Sequence, residues 1–124
     1  MGKIYLSGPI SNNPNASSLF ARAEEHYASQ GYEVVNPLTI NRDNPSWHQA
    51  MRRDIAALMQ CNAIAMLPGW KLSPGALLEH HIAMKLGFEI IYHNNRKEII
   101  NDILSAINSI TGICYEQLRS ASRK

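Results

Sequence analysis

Residues 62–67 read NAIAML, the most apolar short run of the chain, and Pro68 and Gly69 follow it directly. A short, continuous apolar run that ends in a Pro-Gly turn signal is typical of a parallel strand covered on both faces. We therefore place the central strand of a sheet here, and the neighbouring segments have to supply its flanking helices and strands.

Upstream of this central strand, the pattern predicts two more strands separated by a helix. Residues 3–7 (KIYLS) and 32–35 are β-prone runs, and a turn signal stops each of them. Between them, apolar side chains recur at helical spacing until Gly31, which ends the helix. Residues 38–46 are polar and interrupted by proline, so they predict a loop.

Two helices are predicted beside the central strand. Residues 47–60 carry an apolar stripe, and Ser46 is a plausible N-cap. A second helix begins at Ser73, with Pro74 at its first helical position, and runs until Gly87. The side chains of the first helix that we expect to face the core are Trp47, Met51, Ile55, Leu58 and Met59.

The remaining segments complete an alternating order of strands and helices. Residues 88–92 predict a fourth strand, and apolar residues at helical spacing predict another helix over residues 99–110. This order predicts a three-layer α/β fold, flavodoxin- or Rossmann-like, with a parallel sheet of four to five strands and right-handed crossovers. We expect residues 1–95 to form this domain and residues 96–124 to add an amphipathic helical tail.

Composition excludes several classes of protein. The 124 residues are 45% hydrophobic and 18% charged, and a formal net charge of +2 does not suggest a polyanion-binding surface. Cys61 and Cys114 are far apart in apolar surroundings, which favours reduced, buried thiols over a disulfide framework. No apolar run approaches the ~18 residues of a membrane span, and no signal peptide is recognisable. We therefore expect a cytoplasmic protein without a membrane-bound segment.

The carboxyl ends of the predicted strands are where a ligand should bind. In an open parallel sheet, ligands occupy the crevice beyond these ends, close to helix N-termini. Three segments fall there, and all contain Gly or Pro, which allow the backbone to approach a ligand closely. The candidate binding residues are Ser7, Gly8, Pro9 and Ile10 after the first strand, Asn36 and Pro37 after the second, and Gly69, Trp70, Ser73 and Gly75 after the third.

The segment after the third strand is the most informative of the three. Ser73 opens a helix whose N-terminal amides and positive dipole end could hold a phosphate. Glu79 lies six residues later on a largely apolar helix, where a carboxylate is costly to bury unless it is used or paired. The alternative is a glutamate that faces solvent.

Three further residues are candidates, each with a simpler alternative. Asp54 could supply a second carboxylate, or it could pair with Arg52 or Arg53 or face solvent. Tyr5 could belong to the site or be a core tyrosine whose hydroxyl has a partner. Trp47 could stack on a base or cover the core.

Several common active-site motifs are missing from the sequence. There is no GxxxxGK[ST] loop, no GxGxxG after the first strand and no GxSxG around Ser7. Their absence counts against ATP-driven, dinucleotide-redox and esterase chemistry. His80 and His81 are adjacent and point in different directions on a helix, and Cys61 is distant from both in sequence, so we do not expect a zinc site or another metal site.

Taken together, these positions resemble the nucleoside 2-deoxyribosyltransferase superfamily, which includes the 2′-deoxynucleoside 5′-monophosphate N-hydrolases. The matching elements, within residues 3–92, are YLSGPI at residues 5–10, Asp54 eight residues before Asn62, and Ser73-x-Gly75-x-x-x-Glu79. The chain is most similar to a branch of unknown function, common in phages and bacteria, that pairs Tyr-x-Ser-Gly-Pro with Asn-Pro and Leu-Pro-Gly-Trp.

The resemblance implies roles for individual residues. Glu79 would attack the anomeric carbon, Asp54 would protonate or orient the leaving base, and Tyr5 would position the Glu79 carboxylate. Ser73 stands where nucleoside-specific relatives carry Asp, which favours a 5′-monophosphate substrate over a free nucleoside. Asn62 stands where the superfamily usually has Asp, so any catalytic contribution of that Asp would be absent. A homodimer or larger homo-oligomer is expected by the same analogy.

The tail has a separate resemblance. Residues 103–124 resemble the opening of the DNA-binding domain of bacterial replication initiators, but they stop before a recognition helix. The tail is expected either to be a piece of such a module or to pack as an amphipathic helix on the sheet or on a partner subunit.

The sequence therefore predicts an enzyme that hydrolyses or transfers the N-glycosidic bond of (deoxy)nucleoside 5′-monophosphates through a glutamate nucleophile, without a cofactor. The alternative is a non-catalytic module that binds a nucleotide or nucleoside, linked to nucleic acid through its tail. A third possibility, a glycohydrolase for NAD-like molecules, would require a larger pocket.

Overall fold

The computed structural model describes residues 2–93 together with Leu104 and Ile107, both of which are helical. Its elements are β1 (Lys3–Ser7), α1 (Ala16–Ser29), β2 (Glu33–Val35), α2 (Pro37–Ile40), α3 (Trp47–Leu58), β3 (Ala63–Met66), a single 3-10 turn (Trp70–Leu72), α4 (Pro74–Lys85) and β4 (Glu89–Tyr92). The chain divides into two compact units, Met1–His93 and Asn94–Lys124. Apart from Leu104 and Ile107, the predicted helix at 99–110 lies outside the described residues, as do the packing of the tail and the state of Cys114.

The four strands form one parallel sheet in the order β2-β1-β3-β4. The first crossover places β2 on one side of β1, and the second places β3 on the other side. Ligands bind at such a reversal of strand order in open α/β sheets. Helices cover both faces, so the predicted three-layer α/β fold is confirmed.

Side chains on β1 alternate between the two faces of the sheet. Ile4 and Leu6 pack against Phe20 and its neighbours on α1, whereas Tyr5 packs on the opposite face with Leu58 of α3 and residues of α4. Because side chains on a strand alternate with a period of two, Ser7 shares the face of Tyr5. All four residues of β3 are buried, as the apolar run predicts.

Local signals explain where the helices begin. The Ser46 side chain accepts from the Gln49 amide, and the Gln49 side chain accepts from the Ser46 amide, which is a complete capping box. The Ser73 hydroxyl accepts from the Ala76 amide at the start of α4. The predicted N-cap at Ser46 and the predicted helix start at Ser73 are confirmed.

Two local predictions were wrong. Residues 38–46 are not entirely a loop, because Pro37–Ile40 form the one-turn helix α2, in which Asn36 accepts from the Leu38 amide and Pro37 supplies a preset φ. Trp47 and Met59 do not face the core: they are 47% and 41% exposed, and they stand at the two ends of α3, as its first residue and its C-cap.

Two further predictions concern burial and membranes. Cys61 is buried and carries a free thiol, as predicted. Within the described part of the chain, no helix has the length and apolar character needed to cross a membrane.

Candidate active site

Glu79 lies inside the protein, on the face of α4 that packs against the sheet, and is only 4% exposed. The Tyr5 hydroxyl donates to Glu79 Oε2 at 2.7 Å, and the Ser7 hydroxyl donates to Oε1 at 2.7 Å. Because Tyr5 and Ser7 are two residues apart on β1, the strand presents both hydroxyls to α4. Each oxygen of the carboxyl group therefore receives one hydrogen bond from the central part of the sheet.

The surroundings of Glu79 act on its pKa in opposite directions. Burial raises the pKa to about 7, and the nearby charge of Asp54 adds to this rise, whereas the hydrogen bonds from Tyr5 and Ser7 lower it. Burial and the adjacent carboxylates also raise the pKa of Tyr5 well above its usual value, so that the phenol stays a donor. Glu79 is therefore a carboxyl group that titrates near neutral pH and is held by two donors in its ionised form.

Asp54 is a second buried carboxyl group, on α3. The Asn41 amide donates to Asp54 Oδ1 at 2.7 Å, and burial raises the pKa of Asp54 to about 6, against the effects of that hydrogen bond and of the Arg53 charge. Arg53 does not form an ion pair with it but binds Asp43 through two hydrogen bonds of 2.7 and 3.1 Å. Neither the solvent-facing alternative nor the arginine-pair alternative describes Asp54.

Glu79 and Asp54 line the same cavity, which has a volume of about 320 Å³. The cavity lies at the carboxyl ends of the strands, beside α2 and between the N-terminal halves of α3 and α4. Six of the predicted binding residues also line it: Gly8, Ile10, Pro37, Trp47, Ser73 and Gly75. Residues that are up to 71 positions apart in the sequence therefore line a single cavity that contains two carboxyl groups.

The start of α4 lines part of this cavity. The Ser73 hydroxyl accepts from the Ala76 amide, which leaves its own hydrogen for another acceptor. Pro74 has no amide hydrogen, so Gly75 contributes the first free N–H of the helix. A Cβ atom at Gly75 would lie 3.0 Å from Met51 Sδ, so the glycine allows α3 and α4 to approach each other closely here.

Other predicted site residues lie outside the lining of the cavity. Tyr5 and Ser7 stand behind Glu79, and Asn36 caps α2. The Pro9 carbonyl accepts from the Asn13 side chain, and the Pro9 ring would lie 3.2 Å from a Cβ atom at Gly69. Trp70 lies against His80, with ring centroids 4.3 Å apart. Tyr5 and Ser7 therefore position Glu79, whereas the other residues of this group contact neighbouring segments of the chain.

Eight lining residues were not predicted from the sequence to belong to the site, above all Asn41. Met51 had been assigned to the core alone, and the remaining ones are Ser11, Leu38, Asn44, Pro45, Ala50 and Ala76. The Asn-Pro start of α2 was a usable signal, because a cap followed by proline at N1 predicts a helix start. Read that way, the sequence would have placed Asn41 at the end of one helical turn.

The remaining polar candidates have structural partners. His80 lies 2.9 Å from the Tyr92 hydroxyl through Nε2. Asn62 accepts from the Lys3 amide through Oδ1 at 2.8 Å, at the amino ends of β1 and β3, whereas the cavity lies at the carboxyl ends. Within the described ranges, no group of three or more His, Cys, Asp and Glu side chains is arranged to hold a metal ion.

Comparisons with known proteins add a family assignment. No curated protein matches this chain. The model of one family, described as a domain of unknown function (DUF4406), matches residues 2–92. This match covers most of the chain and includes all four strands, α4 and both buried carboxyl groups. The chain therefore belongs to the DUF4406 family.

Proposed function

We propose that this protein hydrolyses, or transfers, the N-glycosidic bond of (deoxy)nucleoside 5′-monophosphates in the cytoplasm, with Glu79 as the nucleophile. The observation that supports the proposal most directly is the buried Glu79 carboxyl group, held by hydroxyl donors 2.7 Å from each oxygen and facing a cavity that it shares with Asp54. The sequence resemblance supplies the reaction class, and the geometry is compatible with it.

Glu79 would act on the anomeric carbon of the sugar. Cleavage of an N-glycosidic bond passes through an oxocarbenium-like state, which an adjacent carboxylate stabilises and then traps. One Glu79 oxygen would form a bond to C1′ while the C1′–N bond to the base breaks. Tyr5 and Ser7 would fix the carboxylate during this attack, because both hydroxyls donate to it from the rigid strand β1.

Asp54 would assist the departure of the base. Its raised pKa of about 6 leaves about one tenth of Asp54 protonated at pH 7, and this fraction can give a proton to the leaving nitrogen. The resulting carboxylate would then take a proton from water as the water oxygen attacks C1′ and releases Glu79. The products are the free base and the sugar phosphate; a second base in place of water gives transfer.

The size and polarity of the cavity support a mononucleotide substrate. A volume of about 320 Å³ lies at the lower end of the range of about 300–1,000 Å³ for small-molecule sites, which favours a mononucleotide over an NAD-like dinucleotide. The Ser73 hydroxyl and the Gly75 amide can donate to a phosphate at the positive end of the α4 dipole. A homo-oligomer and a role of residues 96–124 in nucleic-acid binding stay predictions.

Base release from a panel of ribo- and deoxyribonucleotides and nucleosides, followed by chromatography, tests the proposal. The wild type should release base from 5′-monophosphates, and Glu79→Gln should lose nearly all turnover while still binding the nucleotide. Glu25→Gln, a change at an exposed glutamate of α1, serves as the matched control and should behave as the wild type.

Two results would contradict the proposal. Unchanged turnover in Glu79→Gln would remove Glu79 from the mechanism. Nucleotide binding by the wild type without release of any base would instead favour the non-catalytic binding module.

A further inference from the structure

Asn41, the C-cap of α2, is bonded to one of the two carboxyl groups of the cavity. Its Nδ2 donates to Asp54 Oδ1 at 2.7 Å and to the Pro37 carbonyl at 3.0 Å. Its Oδ1 is buried without a hydrogen-bond partner. Among the described residues, no other buried side-chain nitrogen or oxygen lacks a partner. Buried polar atoms are almost always paired, so this exception needs a physical reason.

The orientation of the Asn41 amide is dictated by its two acceptors. If the amide were rotated by 180°, Oδ1 would face the Pro37 carbonyl and an Asp54 oxygen, and three acceptors would stand against each other. The observed orientation directs both amide hydrogens to Pro37 and Asp54 and leaves Oδ1 unpaired. The fold thus tolerates an unfavourable buried oxygen in order to place an N–H on Asp54 Oδ1.

The consequence concerns the position of the Asp54 proton. Asp54 Oδ1 accepts the hydrogen bond from the Asn41 side chain, so a proton on Oδ1 would bring two hydrogens together. The carboxyl proton of Asp54 therefore belongs on Oδ2. Within residues 2–93, Oδ2 has no hydrogen-bond partner of its own. It is the oxygen of Asp54 that is left for a group in the cavity.

We propose that Asn41 is a positioning residue that holds the proton of Asp54 on Oδ2 and directs it to the leaving base. This inference rests on the proposed function, since it assigns the device that aims the general acid of that reaction. The inference goes beyond the proposed function because it gives a role to Asn41, which neither binds the sugar nor exchanges protons itself.

The charged and titratable groups that face Asp54 come from three elements. Glu79 on α4 and Tyr5 on β1 face its charge, and the Asp54 carboxylate raises the pKa of both. Arg53 on α3 favours the carboxylate, although Asp43 holds its guanidinium. The hydrogen bond from Asn41 acts in the same direction as Arg53, against the burial that raises the pKa of Asp54. Its loss should therefore raise that pKa further and release the carboxyl group to rotate.

Two substitutions remove the amide in different ways. Asn41→Leu keeps the approximate bulk, and Asn41→Ala removes it, so that one variant carries the test if the other does not fold. Pro37 keeps a donor in both, because the backbone N–H of residue 41 also bonds to its carbonyl. Asn36→Ala is the matched control, since it removes the cap at the other end of α2 and leaves Asp54 bonded.

The first measurement follows the Asp54 carboxyl resonance by ¹³C NMR during a pH titration of the full chain without substrate. The pKa of Asp54 should rise by about one unit in both Asn41 variants and stay at the wild-type value in Asn36→Ala. The second measurement is base release from a 5′-monophosphate. In both Asn41 variants, kcat should fall at least tenfold with KM within about twofold, and the pH optimum should move upward by about half a unit.

The outcomes separate this inference from the proposed function. Base release by the wild type, combined with an unmoved Asp54 titration or an unmoved kcat in the Asn41 variants, would overturn the inference alone. The same shift in Asn36→Ala would also overturn it, because α2 rather than the amide would then be responsible. Absence of base release from every nucleotide would overturn the proposed function and this inference with it.

Discussion

Replacement of Tyr5 by Phe tests the central hydrogen bond of the site with almost no change of shape. The substitution removes the hydroxyl that donates to Glu79 Oε2 at 2.7 Å and keeps the ring in the core. A hydrogen bond to a charged group contributes about 1.5–3 kcal/mol, which corresponds to about one to two pKa units. We take one unit as the minimum expected rise in the pKa of Glu79, from about 7 to about 8.

The predicted loss of activity follows from the ionised fraction of Glu79. At pH 7, that fraction should fall from about one half to about one tenth, so base release should slow by about fivefold. At pH 8 the same arithmetic gives a difference of only about twofold. The assay is base release from a 5′-monophosphate at saturating concentration between pH 6 and pH 8.5, with the Glu79 carboxyl resonance followed by ¹³C NMR.

A second buried tyrosine provides the control. Tyr27 is also buried, but its hydroxyl lies 2.9 Å from His93 Nδ1, so Tyr27→Phe should leave the pH profile unchanged. An unshifted Glu79 titration in Tyr5→Phe would refute the assignment of this hydrogen bond to the ionised carboxylate. A loss of activity that is the same at pH 7 and pH 8 would show that the hydroxyl does not act through the pKa of Glu79.

Two further predictions concern the phosphate and the stability of the fold. Ser73→Asp keeps an N-cap but adds a negative charge at the start of α4. At about 5 Å from a phosphate this charge would cost about 3 kcal/mol, so kcat/KM for monophosphates should fall about 100-fold. An equal loss of kcat/KM for nucleosides would count against a phosphate at this position. In the folded protein Glu79 keeps its proton up to about pH 7, whereas in the unfolded chain the same carboxyl group loses its proton near pH 4.5. The contribution of Glu79 to stability is therefore fully present below pH 4.5 and is lost as the pH rises through 7. Glu79 should therefore lower the free energy of unfolding in urea by about 3 kcal/mol between pH 4.5 and pH 8, and Glu79→Gln should remove this part of the decrease. The smaller part that comes from the raised pKa of Asp54 should remain in the variant, whereas an equally steep decrease in the variant would contradict the burial argument.

The order of elements and their ends could be predicted from the sequence because the signals are local. The apolar run before Pro68 predicted β3, and the serines at 46 and 73 predicted the starts of α3 and α4. The alternation of strands and helices then left few topologies, which led to the correct fold class. The errors lie where a local signal was weak or ambiguous, as at the one-turn helix α2, or at a helix end, as for Trp47.

The contacts of the site depend on tertiary structure. Ser7 was predicted to bind substrate, but it stands behind Glu79 as a second donor, and this contact joins residues 72 positions apart. Asp54 had three possible environments in the sequence, and only the packing of α2 against α3 placed Asn41 on its carboxyl group. Sequence patterns report the intrinsic preferences of a segment and the face it buries. The distance between two side chains on different elements depends on strand order, register and helix packing, which only the assembled fold determines.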